Sequence, residues 1–197
     1  MKGGVFEGSN IEDFSICDTL ATINTMPYGM TTINVNSRKK YRYLRYKAPY
    51  NNRSSLAELQ FYRKGTVNEH LLISGKHIAQ GVDNANISKV FDGNTSTICR
   101  GLSVGYTIGI DLGENNESNV DMIKFCPSTD LNFVEPGHLY ELYYFDKDWV
   151  LAQRIYSKEN KLIFHNIPQN ALFLLKDRNG GKEERIFEYV NDKQIWH

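Results

Sequence analysis

The chain has 197 residues, and its 23 Lys+Arg are balanced by 23 Asp+Glu, leaving a formal net charge of zero. That balance disfavours a nucleic-acid binder, which concentrates a basic excess on one face, and a charge-driven membrane-surface protein. Apolar runs such as 170–175 fall far short of the roughly 18 residues needed to cross a bilayer, and Met1 is followed by Lys2, Gly3 and Gly4 without the apolar stretch of a signal peptide.

Short β-branched and aromatic runs separated by Gly, Asn, Asp and Pro carry the strand-and-turn signature. They predict strands at 4–8, 18–23, 31–36, 40–47, 56–62, 70–74, 106–112, 121–126, 139–145, 150–156, 161–166, 171–176 and 185–190. The one helical turn expected lies at 87–91. In the 40–47 strand, Tyr41 and Tyr43 are expected on one side while Arg42 and Arg45 reach solvent. Twelve Tyr and ten Phe suit pleated sheets. The expected architecture is all-β, a sandwich or barrel.

Two stretches repeat at an offset of about 130 residues. Gly4-Val5-Phe6-Glu7 corresponds to His138-Leu139-Tyr140-Glu141, and Asp18-Thr19-Leu20-Ala21 to Asp148-Trp149-Val150-Leu151. Thr32-Ile33-Asn34-Val35 corresponds to Leu162-Ile163-Phe164-His165, and Tyr41-Arg42-Tyr43-Leu44-Arg45 to Ala171-Leu172-Phe173-Leu174-Leu175. Glu58-Leu59-Gln60-Phe61-Tyr62 corresponds to Arg185-Ile186-Phe187-Glu188-Tyr189. The mass of 22.7 kDa admits one and a half ordinary domains. The repeat therefore predicts residues 1–64 as the C-terminal half of a β-sandwich and residues 65–197 as a complete one. A half sandwich leaves an apolar face uncovered, so self-association through residues 1–64 is expected.

The ordered motifs resemble the discoidin family, the coagulation factor 5/8 type C domain with its galactose-binding-like jelly roll. Val90-Phe91-Asp92-Gly93-Asn94-Thr95-Ser96-Thr97 resembles the family's "DGD-x-x-T" turn. Tyr106-Thr107-Ile108-Gly109-Ile110-Asp111-Leu112-Gly113 resembles its "W-x-x-x-D-L-G" strand. Ile123-Lys124-Phe125-Cys126-Pro127, Tyr140-Glu141-Leu142-Tyr143 and Trp149 follow its later course. The closing stretch, Gly181 to Phe187 and Gln194-Ile195-Trp196, is similar to the ends of tandem discoidin-like modules in gut Bacteroidetes. The resemblance implies a jelly-roll β-sandwich serving as a carbohydrate-binding accessory module. It also implies an extracellular, periplasmic or cell-surface setting, a glycan or glycoprotein partner, and no nucleic-acid binding or membrane insertion.

The same resemblance marks two candidate sites. The turn at 92–97 would hold calcium through Asp92, Asn94 and Thr97, with Glu184 closing the shell, because calcium takes six to eight hard oxygens. The alternative is a metal-free Asx turn in which Asp92 bonds its own backbone. The loops at 96–103 and 128–133 are the expected glycan patch. There Arg100, Asp130 and Asn132 supply hydrogen bonds and Phe133 a stacking face. Ser128 follows Pro127 where related modules carry Arg, which keeps open a structural or protein-interaction spacer that binds no glycan.

Catalysis has little to rest on. Cys17, Cys99 and Cys126 make no C-x-x-C spacing, and no residue pattern marks one of them as an activated nucleophile. No H-E-x-x-H motif or phosphate-cradling Gly loop occurs. The expectation is a protein that is not an enzyme.

Overall fold

The computed structural model describes residues 1–27, 29–35, 37–51, 55–66, 69–128, 134–159, 161–179, 185–191 and 193–197. Among these residues there are fourteen strands in three antiparallel sheets, plus one short 3-10 helix, Asn84–Val90. No helix there is long and apolar enough to cross a membrane. The chain divides into two compact units, Met1–Ser128 and Thr129–His197.

The first unit contains β1 (Val5–Ser9), β2 (Asp18–Thr22), β3 (Thr31–Asn34), β4 (Tyr43–Lys47), β5 (Leu56–Lys64), β6 (His70–Ile73), β7 (Lys76–Gln80), β8 (Thr107–Asp111) and β9 (Met122–Pro127). One sheet runs β2-β1-β4-β8-β7 and the other β3-β9-β5-β6. Their inner faces share a single core. Phe6 of β1 lies 5.1 Å from Phe125 of β9 and 5.5 Å from Tyr46 of β4, centroid to centroid, and meets Phe61 of β5 edge-on at 6.5 Å. Leu44, Ile108, Leu59 and Ile123 are fully buried around them. This is a β-sandwich, because side chains from the facing sides of both sheets meet in one interior.

Strand β4 is sandwiched between β1 and β8, and its arginines do not simply reach solvent as the sequence suggested. Arg42 grips Asp111 with two hydrogen bonds of 2.8 and 3.1 Å. Arg45 reaches Glu7 of β1, its register partner, at 2.7 Å. A carboxylate stands within reach on each neighbouring strand, so pairing replaces solvation. Opposite Arg45, Gly109 of β8 allows the two strands to close, since a Cβ there would sit 2.0 Å from the Leu44 carbonyl oxygen.

The second unit is one five-stranded sheet in the order β11-β10-β12-β13-β14. Its strands are β10 (Leu139–Asp146), β11 (Asp148–Tyr156), β12 (Phe173–Asp177), β13 (Arg185–Val190) and β14 (Lys193–Trp196). Tyr140, Leu142, Phe173, Leu175 and Phe187 form its buried cluster.

Three of the five repeated segments have a structural counterpart, the other two do not (residues 161–166 form no strand to match β3, and β5 pairs with β9 where β13 pairs with β12), and the domain division differs from the expected one. The order β2-β1-β4 in the first unit matches β11-β10-β12 in the second, and β1 and β10 each carry a bulge against their hairpin partner. The boundary nevertheless falls after Ser128 and not after residue 64. Strand β8 pairs with β4, and β9 inserts between β3 and β5, so residues 65–128 complete residues 1–64. An offset repeat says that two segments are alike. It does not say which of them the intervening strands will join. The uncovered apolar face expected on residues 1–64 is therefore filled from within the same unit, and the reason for expecting self-association through it is gone.

Candidate functional site

Strand β5 is nine residues long, but its outer neighbour is not continuous. Leu56 is bridged by Cys99, and Phe61 to Lys64 are paired by the four-residue β6. Between these two contacts no strand is paired to β5 on that side, and a cleft of about 330 Å³ opens there. That volume lies at the lower end of the roughly 300–1,000 Å³ typical of small-molecule sites. Its lining includes Glu58, Gln60, Leu72, His77, Phe91 and Asp92.

Each side chain is placed by a local reason. A bulge between Leu56 and Glu58 in the β5–β9 pairing breaks the alternation, so Leu56, Ala57, Glu58 and Leu59 are all buried. The 3-10 helix starts on Asp83, whose carboxylate caps the Ala85 N–H, and ends by driving Val90 into the core. Phe91 then lies face to face with His77 of β7, ring centroids 4.3 Å apart and planes 21° from parallel. Gly93 follows at φ +75°, a left-handed conformation that glycine takes without strain.

Glu58 is 1% exposed. Its carboxylate accepts the Gly93 N–H at 3.1 Å and the Gln60 amide at 3.0 Å, while Tyr62 donates to Gln60 at 2.6 Å. Burial pushes the Glu58 carboxyl up to about 7, against the two hydrogen bonds, and the nearby Asp92 charge adds to the rise. Among the described residues, neither Glu58 nor Asp92 is within ion-pair distance of a basic side chain. The cleft therefore combines a flat aromatic plate, two acidic groups and an amide.

The sequence-derived sites map onto this unevenly. Asp92 lines the cleft. Its Oδ1 accepts the Asn94 N–H at 2.8 Å and its Oδ2 the Thr97 hydroxyl at 2.8 Å, while Asn94 in turn accepts the Ser96 N–H at 2.9 Å. This is the Asx turn of the alternative reading. Within the turn Asp92 is the one carboxylate, and among the described residues no group of three or more His, Cys, Asp or Glu is placed to hold a metal. Glu184 lies outside the described residues, as do Asp130, Asn132 and Phe133. Arg100 is exposed, in a loop outside the cleft lining.

Glu58, Gln60, His77 and Phe91 had not been singled out for the site. The signal for Glu58 was present, since an acidic residue stands inside the apolar run Leu56-Ala57-Glu58-Leu59. The cysteines offer no matching chemistry. Cys99 and Cys126 are buried, and burial pushes the Cys99 thiol up, opposite to what an activated nucleophile needs.

Comparison of the chain with protein-family models, curated proteins and solved structures returned no match. The functional reading rests on the residues themselves.

Proposed function

We propose that the chain is a non-catalytic carbohydrate-binding module on a discoidin-like jelly roll, working in a secreted or cell-surface bacterial protein. We place its ligand in the cleft beside β5. The observation that carries this reading is the His77–Phe91 plate set in one cleft with buried Glu58, half-buried Gln60 and exposed Asp92. A sugar ring presents CH groups on one face and hydroxyls around its rim. An aromatic plate answers the first, and carboxylate and amide groups answer the second. The neutral net charge suits a partner that is recognised locally rather than steered by a long-range field. Binding of the full chain to a glycan array is the test, with saturable binding to at least one neutral or amino-sugar class expected. Failure on every class would overturn the reading.

A second reading, a spacer that docks on another protein, draws on the second unit. Tyr156, Trp196 and Phe145 are 67%, 53% and 48% exposed on its sheet, and β11 and β14 stand at the sheet edges. A stable complex or dimer by light scattering, together with a blank array, would favour it.

A further inference from the structure

Among the described residues, no basic side chain stands within ion-pair distance of the cleft's acidic groups. Glu58 is almost entirely removed from water and accepts only neutral donors, Gly93 N–H and the Gln60 amide. Asp92 accepts from Asn94 N–H and the Thr97 hydroxyl, also neutral. Elsewhere in this unit the folding chain pairs its sheet carboxylates with arginine, as Glu7 with Arg45 and Asp111 with Arg42. At the cleft no described residue supplies that counter-charge, on the side where the strand pairing is interrupted and a ligand can enter. Buried charges are stabilised by pairing, and an aromatic face beside them attracts a cation through its quadrupole. A neutral sugar would satisfy hydrogen bonds here but leave the charge uncompensated.

We propose that the sugar recognised in this cleft carries a protonated amine, held by Glu58 and Asp92 against the His77–Phe91 plate. The inference rests on the carbohydrate reading above and narrows it from glycans in general to amino sugars with a free amino group. N-acetylation would remove both the charge and two of the ammonium donors, so the acetylated form is the natural control.

The test is calorimetric titration of the full chain with a glucosamine tetramer and with its fully N-acetylated counterpart at neutral pH. The wild-type chain should bind the free-amine tetramer at least about tenfold more tightly, the weight of one charge-assisted hydrogen bond. Glu58→Gln and Asp92→Asn should each erode that preference, lowering affinity for the free-amine tetramer by a larger factor than affinity for the acetylated one. Asp92 is exposed, and Asn keeps the acceptor for the Asn94 N–H, so this variant reports even if the Glu58 substitution perturbs folding. Equal affinity for the two tetramers, no binding of either, or a preference that survives both substitutions, would overturn the inference. Binding of neutral sugars with no amine preference leaves the carbohydrate reading standing, whereas a blank glycan array removes both.

Discussion

The Gly93 backbone N–H donates to the buried Glu58 carboxylate across 3.1 Å, tying the exit of the 3-10 helix to the interrupted stretch of β5. This contact has a pH signature. Glu58 in the folded chain is raised to about 7 from an ordinary 4.5. Between those values the folded state keeps a proton that the unfolded state has released, so stability falls as pH rises through the window and levels off above it. Urea denaturation at acid and mildly alkaline pH should show a loss of up to about 3 kcal/mol from this group. Glu58→Gln, which keeps the acceptor for Gly93, should lack that part of the loss and be the more stable chain at alkaline pH. Parallel curves for the two proteins would show that Glu58 is not buried as described.

Glu7–Arg45 and Glu141–Arg154 use the same chemistry at different depths. Both pairs close to 2.7 Å, but the Arg45 side chain is 16% exposed and Arg154 is 61% exposed. Arg45 also lies 3.7 Å from the centre of the Phe14 ring. Arg45→Ala leaves Glu7, 8% exposed, with the more distant Lys47 ammonium at 4.0 Å in place of a hydrogen-bonded partner, and should cost about 3 kcal/mol in denaturant unfolding. Arg154→Ala should cost less than about 1 kcal/mol, because the Arg154 end is screened by solvent and buried Glu141 keeps the Tyr143 hydroxyl at 2.6 Å and Arg178 at 3.6 Å. Equal losses would contradict the difference in depth.

Two glycines should separate space from backbone conformation. At Gly109 a Cβ would collide with the Leu44 carbonyl and with Arg45, both on the paired strand β4, so Gly109→Ala should abolish cooperative unfolding of the first unit. At Gly93 nothing stands within 4 Å of the added Cβ, and only the φ of +75° opposes it. Gly93→Ala should therefore fold, with a penalty of about 1 kcal/mol.

Millimolar calcium should leave the melting temperature unchanged relative to chelator. Asp92 is the one carboxylate in the 92–97 turn and already accepts from Asn94 and Thr97, which leaves too little charge there for a calcium shell of six to eight oxygens. A calcium-dependent rise in melting temperature would restore the metal reading of the 92–97 turn through mass action.

Twelve of the strands were legible from alternation and turn residues, because those signals are local. The expected strand at 161–166 fails for a specific reason. Leu162 and Phe164 do pack on the second unit's cluster, but the backbone at His165 is hydrogen-bonded at both N–H and C=O by the Gln153 side chain instead of by a strand. Strands β7 and β14 were missed. Lys76-His77-Ile78-Ala79-Gln80 has one β-branched residue and becomes a strand by pairing with β8, and all four residues of β14 are exposed. The cleft was illegible because it arises from lengths, a nine-residue β5 beside a four-residue β6, and from a loop that returns His77 and Phe91 to the same place. Local pattern carries none of that. Among the expected residues that the structure describes, only Asp92 lines it, drawn there by the turn that resembled a metal site.

The most direct measurement is the affinity of wild-type, Phe91→Ala, His77→Ala and Arg100→Ala chains for an array-identified glycan, with melting curves to confirm folding. The cleft account predicts that loss of either member of the plate weakens binding by about tenfold or more, at 1.4 kcal/mol per decade, while Arg100→Ala binds like wild type. Unchanged binding in folded Phe91→Ala and His77→Ala, with loss confined to Arg100→Ala, would move the ligand to the loops at 96–103 and contradict it.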